Sequence, residues 1–192
     1  MIRLRSLARD EAGAAIVEFA LIAPVMVMTL FGMFDLGHGM YTKSLLQGAI
    51  EKASRDSTIQ GATTGALDAK VTTIVRRIAP GSTITFNRAS YTSFTSVGQP
   101  EDYGDTNSDG VCDAGETFED ANGNGAWDAN QGRTGNGGAR DAVLYTVTVN
   151  YPRLLPLGRL IRQSDTTTMS AVTVLRNQPY GLQNTPANAT CA

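Results

Sequence analysis

Histidine, cysteine and tryptophan are nearly absent from this sequence: one histidine, two cysteines and one tryptophan in 192 residues. That scarcity excludes much chemistry. No cysteine–histidine spacing of the zinc type is present. Nor is there a nucleophile–base pair, a phosphate-binding loop or a dinucleotide fingerprint, so the chain is expected not to be an enzyme. The lone histidine, His38, abuts an apolar run and is given no role. A formal charge of −2 with scattered bases lacks the footprint of a nucleic-acid binder, and no nucleic acid is expected among its partners. The acids are not scattered. Nine of the eighteen lie between Glu101 and Asp128, a window without Lys or Arg, which points to a cation.

What dominates the chain is Ala12 to Phe34, whose 23 residues carry one charge, Glu18. As a helix they would extend about 34 Å, enough to cross a hydrocarbon core of about 30 Å. Arg3, Arg5 and Arg9 precede the run and Lys43 is the first base beyond it. The positive-inside rule then keeps the first residues cytoplasmic and sends the remainder outward. The expected topology is a single pass with the N-terminus cytoplasmic and the C-terminal domain on the far side of the membrane. The run is too long for an ordinary secretory signal, and Pro24 within it is tolerable in a membrane helix. An acid at membrane depth is costly and marks a functional position by default.

Beyond Asp35, Tyr41, Leu45, Ala49 and Ala53 recur every fourth residue, with Leu46 and Ile50 beside them. This predicts that the helix continues, amphipathic, to about Ile59. A second helix is expected over Ala66–Ala79, where Leu67, Val71, Ile74, Val75 and Ile78 make one stripe and Pro80-Gly81 ends it. From Ser82 the period falls to two: Ile84 and Phe86 mark a strand, which Tyr91–Val97 extends or pairs with. Val143 to Tyr151 is a half-buried strand and Thr166 to Leu175 a third. Gly98–Gly138 reads as a long polar insertion unable to bury anything. Pro152–Ile161 reads as a connection over the core or against a partner, and Asn177 onward as a tail with little order. The fold class is α+β: a long transmembrane-to-amphipathic helix, a second helix, and a small antiparallel sheet with a long Asp/Asn/Gly-rich loop. The domain boundaries expected are a leader at 1–13, a membrane helix at 14–34 and an extracytoplasmic domain at 35–192, with 98–138 inserted.

Within the insertion, Asp105 to Glu116 fits D-x-[DN]-x-[DN]-G-x5-E in full. In such a calcium loop Asp105, Asn107 and Asp109 give side-chain oxygens and Val111 a backbone carbonyl. Asp113 acts through water, and Glu116 supplies two oxygens. Gly110 makes the turn. The pattern repeats fifteen residues on with Asp120, Asn122, Asn124, Gly125, Ala126 and Asp128, but the twelfth position is Gln131. An amide does not replace a bidentate carboxylate, so the second site is expected to be weaker. No flanking helices are expected, which argues against a helix-loop-helix sensor. The competing reading is ordinary turn chemistry, which also favours Asp, Asn and Gly. Cys112 lies in the first loop and Cys191 far downstream. An oxidising compartment allows a bridge between them, with two unrelated thiols as the alternative.

The junction Gly13-Ala14-Ala15-Ile16-Val17-Glu18-Phe19 resembles the type IV pilin signal: a basic leader, a glycine, then an apolar helix whose fifth residue is glutamate. The resemblance implies cleavage by a prepilin peptidase between Gly13 and Ala14. GAAIVEFALIAP also looks like the start of TadE-like proteins, minor pseudopilins of the tight-adherence (Flp pilus) machinery. Tyr151–Leu160 and Val172–Tyr180 look like later segments of that family, although the family tends to have glutamate where this chain has Gln178. The partners so implied are the peptidase, other pilins and pseudopilins, the Tad assembly platform and the inner membrane, and the location so implied is a bacterial inner membrane with the C-terminal domain periplasmic or, once in a pilus, extracellular. The expected function is assembly of a Flp/Tad-type pilus for adhesion or secretion, with a calcium-stabilised surface loop. The alternative is a membrane-anchored calcium-binding adhesion module that never enters a fibre.

Overall fold

The computed structural model describes residues 12–57, 63–155, 164–176 and 185–192. The leader through Glu11, the expected helix end at Ile59, the break at Gly61, most of the 152–161 connection and Gln178 lie outside these residues. The elements in order are α1 (Ala12–Ser57), α2 (Thr64–Arg76), β1 (Thr83–Tyr91), β2 (Thr117–Asp120), β3 (Arg133–Thr134), β4 (Ala142–Pro152), β5 (Thr166–Arg176) and β6 (Ala187–Thr190). This is an α+β chain with a long apolar N-terminal helix and a small antiparallel sheet.

Contacts divide the chain into two compact units, Met1–Tyr41 with Arg153–Asp165, and Thr42–Pro152 with Thr166–Ala192. In the first unit, α1 runs unbroken through Pro24, whose missing N–H leaves the Ala20 carbonyl without its intrahelical donor. Ile16, Phe19, Leu21, Ile22, Val25, Leu30, Met33 and Phe34 are all exposed. This helix is long and apolar enough to cross a membrane, and none of its most apolar window is buried within the chain. It fits a single-pass membrane anchor. Asp35, the first charge beyond the run, forms an ion pair with Arg153. The Arg153 amide donates to the Asp165 carbonyl at 2.8 Å. What is described of the connection after β4 thus begins and ends on these ties, while 156–161, on which the expectation of a connection over the core or against a partner chiefly falls, lies outside the described residues.

In the second unit the sheet order is β3-β1-β4-β5, antiparallel throughout. The alternation read in Val143–Tyr151 places Val143, Tyr145, Val147, Val149 and Tyr151 on one buried face. Leu46, Ala49, Ile50 and Ala53 from the end of α1, and Leu67, Val71 and Val75 from α2, complete that core. Tyr41, placed on the same stripe by spacing, is exposed. The α2 helix starts at an N-cap: the Thr63 hydroxyl accepts from the Ala66 amide. Asp68 on α2 receives a bidentate pair from Arg88 on β1 (2.5 and 3.2 Å) and the Tyr145 hydroxyl from β4 at 2.6 Å. The Arg88 guanidinium also lies over the Tyr145 ring, 4.5 Å from its centre. One carboxylate thus pins the helix to two strands. Burial, then the Asp68 carboxylate, pushes the Tyr145 phenol well above its ordinary value, so it stays protonated.

Three readings need correction. Tyr91–Val97 neither extends nor pairs as a strand; β1 stops at Tyr91 and turns follow. The insertion is not without burial: Phe118 is 2 % exposed, and Glu101, Glu116 and Asp120 are buried with it. The tail is not without order, since β6 pairs with β2 over four residues. In the last two cases the cause is non-local pairing, which local composition does not show; after Tyr91 the chain is instead held in local turns, the Val97 amide donating to the Phe94 carbonyl at 3.4 Å.

Candidate functional site: a paired acidic loop module

The insertion is built around β2. On one side β2 pairs antiparallel with β6. On the other it meets residues 102–104: Tyr103 bridges Phe118, the Gly104 amide donates to the Thr117 carbonyl, and the Glu119 amide to the Asp102 carbonyl (both 2.8 Å). Cys112 is disulfide-bonded to Cys191, just beyond β6, with their Cα atoms 5.8 Å apart. The Cys191 amide donates to the Glu116 carbonyl at 2.8 Å. The bridge joins residues 79 apart in sequence. In the chain-entropy view it stabilises the fold by about 4 to 5 kcal/mol.

The first loop, Asp105–Glu116, leads into β2. The Asp105 carboxylate accepts amides of Ser108 (2.6 Å), Asp109 (3.2 Å) and Gly110 (3.0 Å). The Asp109 amide also donates to Asn107 Oδ1, and the Val111 amide to Asp109 Oδ1. Gly110 holds φ 81°, the left-handed conformation that glycine adopts without cost. Glu116 is turned back into the loop: Oε1 accepts from the Thr106 amide and hydroxyl, and Oε2 from the Asp113 amide. These donors, the Asp113 amide foremost, hold the Glu116 carboxyl below its ordinary value.

The second loop, which starts at the last residue of β2, repeats this network atom for atom. Asp120 accepts amides of Gly123 (2.7 Å), Asn124 (3.1 Å) and Gly125 (2.9 Å), and Gly125 has φ 80°. The Asn124 amide donates to Asn122 Oδ1, and the Ala126 amide to Asn124 Oδ1.

Its closing carboxylate, however, is not at the twelfth position. Gln131 turns away and donates to the Pro100 carbonyl at 3.0 Å. Glu101, 1 % exposed, takes the place instead. Its Oε1 accepts the Ala121 amide (2.9 Å) and the Asn122 amide (3.3 Å), and its Oε2 the Asp128 amide (3.0 Å). These match the contacts Glu116 makes with residues 106 and 113. Glu101 was missed because it precedes both loops. A signal was nevertheless present: Glu101 and Glu116 are fifteen residues apart, as are Asp105 and Asp120, and Tyr103 and Phe118. The unit is a tandem repeat whose glutamates are exchanged, each closing the loop of the other repeat. Its two strands lie antiparallel through Tyr103 and Phe118.

Asparagine amides sit against the acids of each loop, bridging two carboxylates in the first and converging on one in the second. Asn107 Nδ2 donates to Asp109 Oδ2 (2.9 Å) and Asp113 Oδ2 (3.0 Å). Asn122 and Asn124 Nδ2 both donate to Asp128 Oδ2 (2.7 and 2.6 Å). Among the described residues no three His, Cys, Asp or Glu side chains are drawn together as a metal cluster. Trp127 seals the second loop, donating to the Glu101 carbonyl at 2.8 Å and packing edge-on to Tyr103.

At the other candidate position, Gly13, Ala14 and Glu18 lie on the exposed first turns of α1. A carboxylate at residue 18 is one helical turn beyond residue 14.

No curated protein and no solved structure matches the chain. A family model does match, that of TadE-like proteins, over residues 13–55. The match covers nearly all of α1 and stops short of Tyr151–Leu160 and Val172–Tyr180, where a likeness was also read. The long apolar helix is the TadE-like part of the chain, consistent with a TadE-like protein of the Tad system.

Proposed function

We propose that the chain is a minor pseudopilin of a Tad-type pilus, anchored in the inner membrane by α1 until it is processed after Gly13 and taken into a fibre. One observation carries the reading. From Ile16 to Met40, α1 leaves its large apolar side chains exposed, and the stretch lies within the TadE-like match. A rod of this kind is stable only in lipid or among other apolar helices. Assembly supplies the second environment. There Glu18 pairs with the Ala14 ammonium of a neighbouring subunit, since opposite charges in low dielectric attract strongly and either alone is costly. The pairing sets subunit register, and the protein carries no covalent chemistry of its own. N-terminal sequencing of the mature chain tests this. A start at Ala14 supports it, whereas an intact Met1 favours a tethered module.

We further propose that the paired loops bind calcium. The donor sets are all oxygen, as a hard cation requires. Asp105, Asn107, Asp109, Asp113, Glu116 and the Val111 carbonyl would hold one ion. Asp120, Asn122, Asn124, Asp128, Glu101 and the Ala126 carbonyl would hold a second. The Asn107 amide nitrogen bridging Asp109 and Asp113, and those of Asn122 and Asn124 on Asp128, offset the acids with partial charge, and a cation does so with two full charges. Each asparagine can turn its amide to present oxygen. With Glu101 in place the second loop has its closing carboxylate after all. It has three carboxylates against four in the first, and remains the weaker site by charge count. Calcium is expected to protect Gly98–Gly138 from proteolysis, and EGTA to reverse the protection. Identical cleavage with and without calcium would refute the site.

A further inference from the structure

We propose that the cavity between the second acidic loop and β3 binds a sugar that carries a carboxylate, with Arg133 holding the carboxylate. The cavity measures about 560 Å³, within the range of about 300–1,000 Å³ of small-molecule sites. One wall is the loop itself, through Asn122, Asn124 and Asp128, and the other is Asn130, Arg133 and Thr134. All of it lies within the second compact unit. None of the described residues lining it has an aliphatic or aromatic side chain, so it offers an apolar ligand nothing to bury against.

The walls are preformed. Asn130 Oδ1 accepts from the Tyr91 hydroxyl and from the Gly132 amide, both at 3.0 Å. Tyr91 is buried, and a side chain at position 132 would meet its hydroxyl at 2.7 Å, so the turn is tightly set and leaves room for glycine. With that oxygen used twice, Asn130 has its NH2 group to offer a ligand. Opposite, Asp128 takes the Asn122 and Asn124 amides on Oδ2. Its Oδ1 remains as an acceptor, and each of those amide nitrogens keeps a second hydrogen. Donors and acceptors interleaved in this way suit hydroxyl groups, which are both at once.

Arg133 sets the charge. It is the first base after the acid-rich window from Glu101 to Asp128. Its backbone carbonyl accepts from the Ser90 hydroxyl at 3.1 Å, and its Nη2 lies 3.8 Å from where a Cβ on Gly123 would stand, over the turn of the loop. Among the described residues it enters no ion pair. A guanidinium fork with no carboxylate of its own matches a ligand carboxylate in bidentate fashion. A hydroxyl-bearing ring beside that carboxylate uses the amides and Asp128 as well. An aspartyl or glutamyl side chain brings the carboxylate without the ring.

The test titrates galacturonate into the full chain in detergent, with galactose and tri-glutamate as comparison ligands. EGTA is present throughout, so the result is independent of the calcium reading and either can fail alone. Galacturonate is expected to shift the side-chain amide signals of Asn122, Asn124 and Asn130 in NMR spectra. It should bind about tenfold or more tightly than galactose, the worth of one charge-assisted pair. Arg133→Gln is expected to erase that preference, and Arg133→Lys, which keeps the charge without the fork, to fall between. Equal affinity of wild type for the two sugars overturns the proposal whatever the variants do to folding. No shift at the three amides, or a preference that survives in Arg133→Gln, overturns it too. Tri-glutamate binding as tightly as galacturonate would assign the cavity to an acidic peptide and also overturn it.

Discussion

Replacing Glu101 by glutamine tests the exchanged-glutamate arrangement directly. The buried carboxylate accepts three backbone amides, two on one oxygen and one on the other. Glutamine keeps a single acceptor oxygen and sets an NH2 group against the amides facing the other. One charge-assisted hydrogen bond is lost and a buried donor is left facing a donor. The expected cost is about 3 kcal/mol, or roughly a hundredfold in the opening equilibrium of the module. Trp127, the chain's one tryptophan, donates to the Glu101 backbone, so its emission should report the loosening in urea. Calorimetric calcium titration of the full chain in detergent supplies the second readout. Wild type is expected to take up two ions and Glu101→Gln one. Gln131→Glu is the decisive partner variant. If the twelfth residue closed the second loop, it would tighten the second site. Because Gln131 is engaged with Pro100 and Glu101 fills the place, no gain is expected. Tighter binding in Gln131→Glu, with unchanged binding and stability in Glu101→Gln, would refute the reasoning.

Glu116 is held below its ordinary value of 4.5. Its contribution to loop order is therefore complete above that pH and lost as pH falls through the depressed folded value. Proteolysis between Asp105 and Glu116 should rise on acidification below pH 4.5 and not on moving from pH 6 to 8. Cys191→Ser opens the bridge and should lower stability by about 4 kcal/mol in the chain-entropy view, read as faster amide exchange at Phe118 and Ala189. Asp68→Ala leaves Arg88 and the Tyr145 hydroxyl without their shared acceptor. A loss of about 3 kcal/mol is expected by denaturant titration, against about 1 kcal/mol for Tyr145→Phe. Equal losses in the two variants would show that the ion pair contributes nothing.

Much of the fold could be read locally. The three- and four-residue spacing of Leu46, Ala49, Ile50 and Ala53, and the alternation from Val143 to Tyr151, each record one buried face, so periodicity was enough. The acidic loops were visible because their oxygens must recur at fixed places around a left-handed glycine. What stayed hidden was pairing at a distance. β3 is two residues long and β6 reads Ala-Asn-Ala-Thr, too short or too polar to leave a period. Phe118 is a single apolar residue in a polar stretch, and its burial comes from strands on either side. Glu101 looked like one more surface acid because its role depends on a partner loop twenty residues on. The likeness of Asp102–Asp105 to Thr117–Asp120, with an aromatic in each, is the sequence sign of the repeat, and it lies outside the ligand positions of the loop motif.

The pairing of β2 with β6 has a consequence for biogenesis. The acidic module is completed by residues that leave the ribosome after β4 and β5, and its covalent clasp needs an oxidant. The central sheet can therefore form while the loops are still open. The module becomes whole only once Ala187–Cys191 has been made and Cys112 and Cys191 have been oxidised, so its closure is the late step in the folding of this unit.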